Sequence, residues 1–369
     1  MQLRTSPSGP LLRGNAPGDV LAWNGTEWLP VVAAAGAFDH VVESLADLPA
    51  PVGNIISLES ASYAIKADID LGPNMLRVPL GVSALIMGMG GTSQKVLSSD
   101  HATAALQVIG TARTLFLNVT ATAGHGVGVH GTLRSQGCQF IADTLEGAVI
   151  ADGGTWRDAG SSVRGETEGL RVTDGDAYLS QTVLNGITEN ALVASGAGVG
   201  DVWLSGCQLV ANASDVLRWD SSSGNLQLGE TELRCLNPGS ACCLVLLALT
   251  VQVVGGRWES DGGVGLFIDG NVTRDLQLIG VRGEDMSSLV EYNSGTVRQA
   301  TLQGLSTFSD VAVGVTWAAA SIPTNGLSLV GNNFDTATAL SGFTAADARV
   351  NLKACTEAGA LMTETAIVP

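Results

Sequence analysis

Hydrophobic positions along this chain recur in a short alternating unit, apolar-x-apolar, often followed within two residues by Gly. From residue 177 onward the unit reads Ala177-Tyr178-Leu179, Val202-Trp203-Leu204-Ser205-Gly206, Leu226-Gln227-Leu228-Gly229 and Val251-Gln252-Val253-Val254-Gly255. It continues through Leu276-Gln277-Leu278-Ile279-Gly280, Ala300-Thr301-Leu302-Gln303-Gly304, Leu327-Ser328-Leu329-Val330-Gly331 and Val350-Asn351-Leu352. The second apolar residue falls at 179, 204, 228, 253, 278, 302, 329 and 352, giving intervals of 25, 24, 25, 25, 24, 27 and 23. About a dozen residues after each marker stands a second apolar stretch, such as Leu192-Val193, Val216-Leu217, Leu266-Phe267-Ile268 and Leu289-Val290. Each repeat therefore predicts at least two short strands.

A period near 24 residues suits a stacked architecture, in which one repeat cannot bury its apolar face without its neighbours. The leucine-rich-repeat spacing is absent, and no segment of a repeat carries the 3.6-residue period of a helix. The alternation has period two and breaks at Gly, Asn or Ser. These features predict an all-β chain wound into a parallel β-helix, with coils of ~24 residues pairing at about 4.8 Å and inward side chains stacked in columns. Gly and Asn would turn the corners, where positive φ costs them little.

Less regular coils are expected earlier, around Leu115-Phe116-Leu117, Gly137-Cys138-Gln139-Phe140 and Ile150 to Trp156. Gly137-Cys138-Gln139-Phe140 echoes Gly206-Cys207-Gln208-Leu209, which predicts equivalent positions. Residues 115–356 leave room for about ten coils, a shaft of roughly 50 Å. The expected division is an N-terminal segment over 1–36, a cap with opening coils over 37–110 and the shaft over 111–369. Residues 39–51 predict a short helical cap.

Composition narrows the field of partners. The chain of 369 residues holds 35 Asp+Glu against 18 Lys+Arg, for a net charge of -17, and only 14% of its residues are charged. Its 47 Gly oppose a helix-rich fold, because Gly costs a helix about 1 kcal/mol relative to Ala. With Lys66, Lys95 and Lys353 as the only lysines, nucleic acid is not an expected partner. No export signal is visible near Met1, which disfavours a secreted adhesin. The N-x-[ST] matches at Asn24, Asn118, Asn212 and Asn271 therefore carry little weight. The longest apolar run, residues 241–249, is too short to span a bilayer and is expected in the core. Six cysteines without a C-x-x-C pair predict buried free thiols.

Two stretches carry a family resemblance. Gly18-Asp19-Val20-Leu21-Ala22-Trp23-Asn24-Gly25-Thr26-Glu27-Trp28-Leu29-Pro30-Val31 resembles a short module near the ends of tailed-bacteriophage fibre and virion proteins. Ser62 to Gly72, followed by Arg77-Val78-Pro79-Leu80-Gly81-Val82, resembles the opening coil of pectin-lyase-like right-handed β-helices in phage tailspikes. The resemblance implies a side-by-side homotrimer on the virion, assembled in the host cytoplasm. It also implies attachment to tail, baseplate or capsid proteins through residues 1–36, with Trp23 and Trp28 as anchor candidates.

Catalytic signatures are scarce. There is no G-x-S-x-G elbow, Walker loop or H-E-x-x-H, and no cofactor or metal is expected. Gly124 to His130 lacks a following helix and a ligand cluster. Gly262-Gly263-Val264-Gly265-Leu266-Phe267 imitates a calcium repeat but puts Phe267 in the ligand position. Glycoside cleavage needs two carboxylates flanking a sugar bond. Counting from the markers places Glu259 and Glu284 on adjacent coils beside Arg257 and Arg282. With Trp156 or Trp258 nearby, these residues are the glycan-contact candidates. Against that stands a plain ladder of solvated ion pairs, each worth at most about 1 kcal/mol. Glu166/Glu168 and Asp174/Asp176 are lesser turn acids.

The expected function is a non-enzymatic phage spike or fibre that contacts host-surface polysaccharide. The alternatives are a capsid decoration protein and a polysaccharide-degrading tailspike.

Overall fold

A computed structural model describes residues 38–89, 93–308, 310–317, 322–336, 338–343 and 349–362, together with the backbone of four short strands within residues 1–37. The chain winds into a parallel β-solenoid of about 13 turns. Each turn lays down three strands, one on each of three faces, joined by corners.

The first face begins at His40–Val42, Ser62–Ile65 and Ser83–Gly88 and ends at Leu327–Val330 and Val350–Lys353. The second runs from Ile69–Asp70 to Thr356–Glu357, and the third from Ile55–Ser57 to Thr338–Ser341. Four long strands, Leu170–Ser180, Leu192–Ser205, Cys243–Val254 and Val264–Ile279, pass from the third face to the first without a break. Register shifts absorb the bend, as between Val245 and Leu247.

The marker column is one ladder of paired residues. Leu179 pairs with Leu204, Leu204 with Leu228, Leu228 with Val253 and Val253 with Leu278. Leu302, Leu329 and Leu352 complete it. All are buried, so a one-residue slip would send the whole column to the surface. The second apolar stretches form the third face, where Leu192, Leu217, Cys243, Leu266 and Val290 stack in register.

Two residues past each marker the chain turns onto the second face through one position of positive φ. Gly206, Gly255, Gly280, Gly304 and Gly331 fill it with φ between 60° and 73°. A side chain there meets the carbonyl crowding of the left-handed region, which Gly escapes. Gln181, Glu230 and Ala354 occupy the same corner at φ 53°, 48° and 53°. The Gly137 and Gly206 corners share φ 59° and 60°, and Gln139 aligns with Gln208 through Ser162 and Val183. The two Gly-Cys-Gln segments are thus equivalent, three coils apart.

Several expectations are refined. The opening coils expected within 37–110 belong to the same ladder as the shaft: it starts at His40, and Val42, Ile65 and Ile86 already alternate inward on the first face. The ten coils expected over 115–356 are present, and the coils before them bring the total to about 13 turns, a shaft of roughly 60 Å. The cap over 39–51 is a single 3-10 turn, Leu45–Asp47, whose Asp47 carboxylate accepts from the Glu43 and Ser44 N–H groups at 3.0 and 2.8 Å. At the other end Thr356–Glu357 folds back antiparallel on Ala360–Leu361. The apolar run at 241–249 is only partly interior: Cys242, Cys243, Val245 and Ala248 point in, while Leu244, Leu246, Leu247 and Leu249 are half-buried.

The six cysteines are free and buried, as their pattern predicts. Apolar surroundings raise the Cys138, Cys207 and Cys235 thiols above their ordinary value, which keeps them protonated. Four tryptophans, Trp156, Trp219, Trp258 and Trp317, fill the bore.

Below Leu179 the marker column turns polar. Leu179 pairs with Asp158, Asp158 with Ser135 and Ser135 with Thr114, all of them buried. The Asp158 carboxylate accepts from the hydroxyls of Ser135, Ser161 (2.5 Å) and Thr182 (2.5 Å), and from the Ser161 N–H at 3.2 Å. Trp156 Nε1 donates to Ser135 Oγ at 2.8 Å. A buried carboxylate persists here because hydrogen bonds surround it.

Candidate functional site

The predicted Arg/Glu group lies on the outer side of the second face. Strands Glu232–Cys235, Arg257–Ser260 and Arg282–Glu284 pair in register, with Arg234 opposite Glu259, Arg257 opposite Arg282 and Glu259 opposite Glu284. Alternation turns Leu233 and Trp258 inward and these charged side chains outward. Each carboxylate lies between two guanidinium groups. Glu259 stands 3.4 Å from Arg234 Nε and 3.7 Å from Arg257 Nη2. Glu284 accepts from Arg257 Nη2 at 2.6 Å and lies 2.8 Å from Arg282 Nε. Glu284 raises Arg257 above its ordinary value by accepting its hydrogen bond. The Arg282 guanidinium also covers the Phe308 ring at 3.7 Å from the centroid.

This geometry is a zipper of alternating charge along the shaft. The carboxylate oxygens face arginine, which leaves little lone-pair capacity aimed at a sugar oxygen. The expectation that Trp156 or Trp258 would stack on a glycan is corrected: both are 0% exposed. Trp156 sits edge-on to Phe140 at 5.6 Å, and the residue paired with Trp258 is Gly283. Beside the zipper a cleft of about 450 Å³ is lined by Glu259, Asp261, Asp285 and Asp310. No cluster of metal-ligating side chains occurs among the described residues.

A second charged group forms at the corner between the second and third faces. Arg171 Nε lies 2.9 Å from Glu146 Oε1 and 2.8 Å from Glu168 Oε2, and its Nη2 lies 2.5 Å from Glu168 Oε1. His125 Nδ1 lies 2.9 Å from Glu146 Oε2. The two carboxylates behave differently. Burial pushes Glu168 up to about 7 in spite of Arg171. The His125 hydrogen bond holds Glu146 below its ordinary value. A cavity of about 230 Å³ bounded by Glu168, Arg171, Glu189, Arg218 and Asp220 opens beside them. A carboxyl whose value lies near neutrality beside one held below its ordinary value is a pairing suited to acid–base chemistry. The sequence offers Glu168 as a turn acid and His125 in a glycine-rich stretch. Glu168 and Arg171 are three positions apart, but their union with Glu146 and His125 depends on coil register, which joins residues more than 20 positions apart.

Glu168 also sets a pH dependence. Its folded value exceeds the ordinary 4.5, so its stabilising share is complete at pH 4.5 and below and is lost as pH rises toward 7. Glu168→Gln removes that titration. Melting curves recorded from pH 4.5 to 8 are expected to fall less steeply for the variant than for the parent. Identical slopes would contradict the burial of an ionisable carboxyl there.

Within residues 1–37, Asp19–Trp23 pairs antiparallel with Trp28–Val32, setting Trp23 opposite Trp28. Their side chains, and residues 24–27, lie outside the described residues. Asp174 and Asp176 fall on the corner before the first face, where Asp176 accepts from the Asp201 N–H at 2.8 Å.

No protein-family model, curated protein or solved structure matches this chain.

Proposed function

We propose that the chain is a structural spike or fibre of a bacteriophage particle, a trimer of right-handed β-helices joined to the virion by residues 1–36 and directed at the host surface. The observation that carries this reading is the paired Trp23/Trp28 strand unit set ahead of a continuous parallel shaft, the order found in the virion proteins it resembles. Two features of the shaft support a rigid, multivalent role. The bore is filled by stacked apolar columns, and the half-buried Leu244, Leu246, Leu247, Leu249 and Phe267 offer an apolar strip for a neighbouring shaft. Three shafts side by side would multiply weak surface contacts into avidity. Decoration of the capsid uses the same parts at another site on the particle.

The test is particle assembly. Deleting residues 1–36 is expected to leave a folded trimer of the shortened chain, by sedimentation, and to abolish incorporation into particles. Retained incorporation contradicts the anchor, and a stable monomer contradicts the trimer.

A second reading, polysaccharide cleavage, is favoured by one observation: the Glu146/Glu168 pair on Arg171 with its adjoining cavity. Oligosaccharide release that disappears in Glu168→Gln would establish it.

A further inference from the structure

The outward column at the centre of the first face holds an unusual run of side chains. Arg113 pairs with Arg134, Arg134 with Arg157, Arg157 with Tyr178 and Tyr178 with Trp203. Gln227, Gln252 and Gln277 extend the same column. Three guanidinium groups therefore stand on consecutive rungs about 4.8 Å apart, followed by two aromatic rings and three amides.

All three arginines are exposed. On the second face, guanidinium groups at similar spacing are each neutralised by Glu259 or Glu284. Among the described residues, no carboxylate pairs with Arg113, Arg134 or Arg157. The one contact of this kind is Arg157 over the Tyr178 ring, 5.2 Å from its centroid. Like charges so close repel, and a chain of net charge -17 has carboxylates enough to neutralise them. This column lacks them.

The surroundings are shaped for an extended ligand. A groove of about 790 Å³ runs beside Arg113 and Arg134, edged by the hydroxyl-bearing Ser62, Ser83, Thr111 and Thr132. Asp39, at the end of the groove, is already occupied: its carboxylate accepts from Ser62 N and Ser62 Oγ, both at 2.8 Å. Farther along the column Trp203, near the end of strand Leu192–Ser205, is 52% exposed, a large apolar area left half uncovered. A rung is close in length to one pyranose residue of an extended polysaccharide, so a glycan lying along the shaft would present one sugar per rung. Its acidic groups would meet the arginines, its hydroxyls the Ser, Thr and Gln side chains, and its ring faces Tyr178 and Trp203.

We infer that Arg113, Arg134, Arg157, Tyr178 and Trp203 form a linear binding stripe for an acidic polysaccharide running parallel to the shaft axis. This deepens the host-surface reading above and rests on it for the biological source of the glycan. It is independent of the N-terminal anchor and of any cleavage. Nucleic acid shares the anionic chemistry, but the chain's overall negative charge opposes a polymer with a phosphate at every residue.

The test uses the purified full chain, with polygalacturonate and heparin as acidic probes and dextran and single-stranded oligothymidylate as controls. Expected is binding to at least one acidic glycan that weakens with salt and little binding to dextran. Arg113→Gln/Arg134→Gln/Arg157→Gln should lose at least ten-fold in affinity, and Trp203→Ala several-fold, each with an unchanged melting temperature. The inference is overturned if neither acidic glycan binds, or if the triple variant binds as the parent does. It is also overturned if oligothymidylate binds more tightly through the same residues, or if the triple variant sediments with fewer copies, which would make the stripe a subunit contact. Particle incorporation, measured separately, reports on the anchor and not on this stripe.

Discussion

Leu278→Asp is expected to abolish the folded state, whereas Gln277→Asp, one residue away, should change stability by less than about 1 kcal/mol. Leu278 is 0% exposed, between Val253 and Leu302 in the marker column, with no polar side chain opposite it. A carboxylate placed there has neither water nor a donor, and the effective penalty is several kcal/mol. That is comparable to the whole stability of a typical domain, about 5–15 kcal/mol. Gln277 projects outward in the Gln227/Gln252/Gln277 column, where a charge stays hydrated. Soluble yield, circular dichroism and urea unfolding distinguish the pair. A folded Leu278→Asp protein with native stability would mean that position 278 does not face the bore.

Asp158→Ala is expected to cost about 3–5 kcal/mol, the range for removing one partner from a buried charged network. The same column that rejects a carboxylate at 278 holds one at 158, because Ser135, Ser161 and Thr182 supply hydroxyl donors. Alanine strands the Ser135 and Ser161 hydroxyls and the Ser161 N–H in the interior without an acceptor, and leaves the Thr182 hydroxyl only its 3.2 Å bond to the Ser180 carbonyl. Ser135→Ala removes a single member and the acceptor of Trp156 Nε1, and should cost about 1–3 kcal/mol. Denaturant titration measures both. A loss below about 1 kcal/mol for Asp158→Ala would show that the network contributes little.

The Asp158 network also explains how far the sequence could be read. Above residue 179 the inward column is Leu or Val at every rung, and the apolar-x-apolar unit reveals fold, period and register together. Below it Asp158, Ser135 and Thr114 hold the same inward positions, so hydropathy hides coils that are geometrically equal to the rest. The third strand of each coil is similarly faint, since second-face strands such as Arg257–Ser260 are four residues long and half charged. The pairing of Glu259 with Glu284 followed from the period alone. The burial of Trp258 did not, because a strand's inward and outward sides are interchangeable until its register against the bore is fixed. His125, Glu146, Glu168 and Arg171 were invisible as a group for the same reason: corners bring them together, and the lengths of corners vary.

The rungs of the shaft add linearly along one axis, and distances between spin labels measure this directly. Gln136, Val254 and Lys353 are exposed in one outward column of the first face, with five rungs from Gln136 to Val254 and four from Val254 to Lys353. Cysteines introduced there in pairs can be labelled selectively, because the six native thiols are buried, and dilution with unlabelled protein suppresses distances between copies. The predicted separations are about 24 Å and about 19 Å, summing to about 43 Å between the outer pair at 4.8 Å per rung. An outer distance well short of that sum would contradict the stacked shaft.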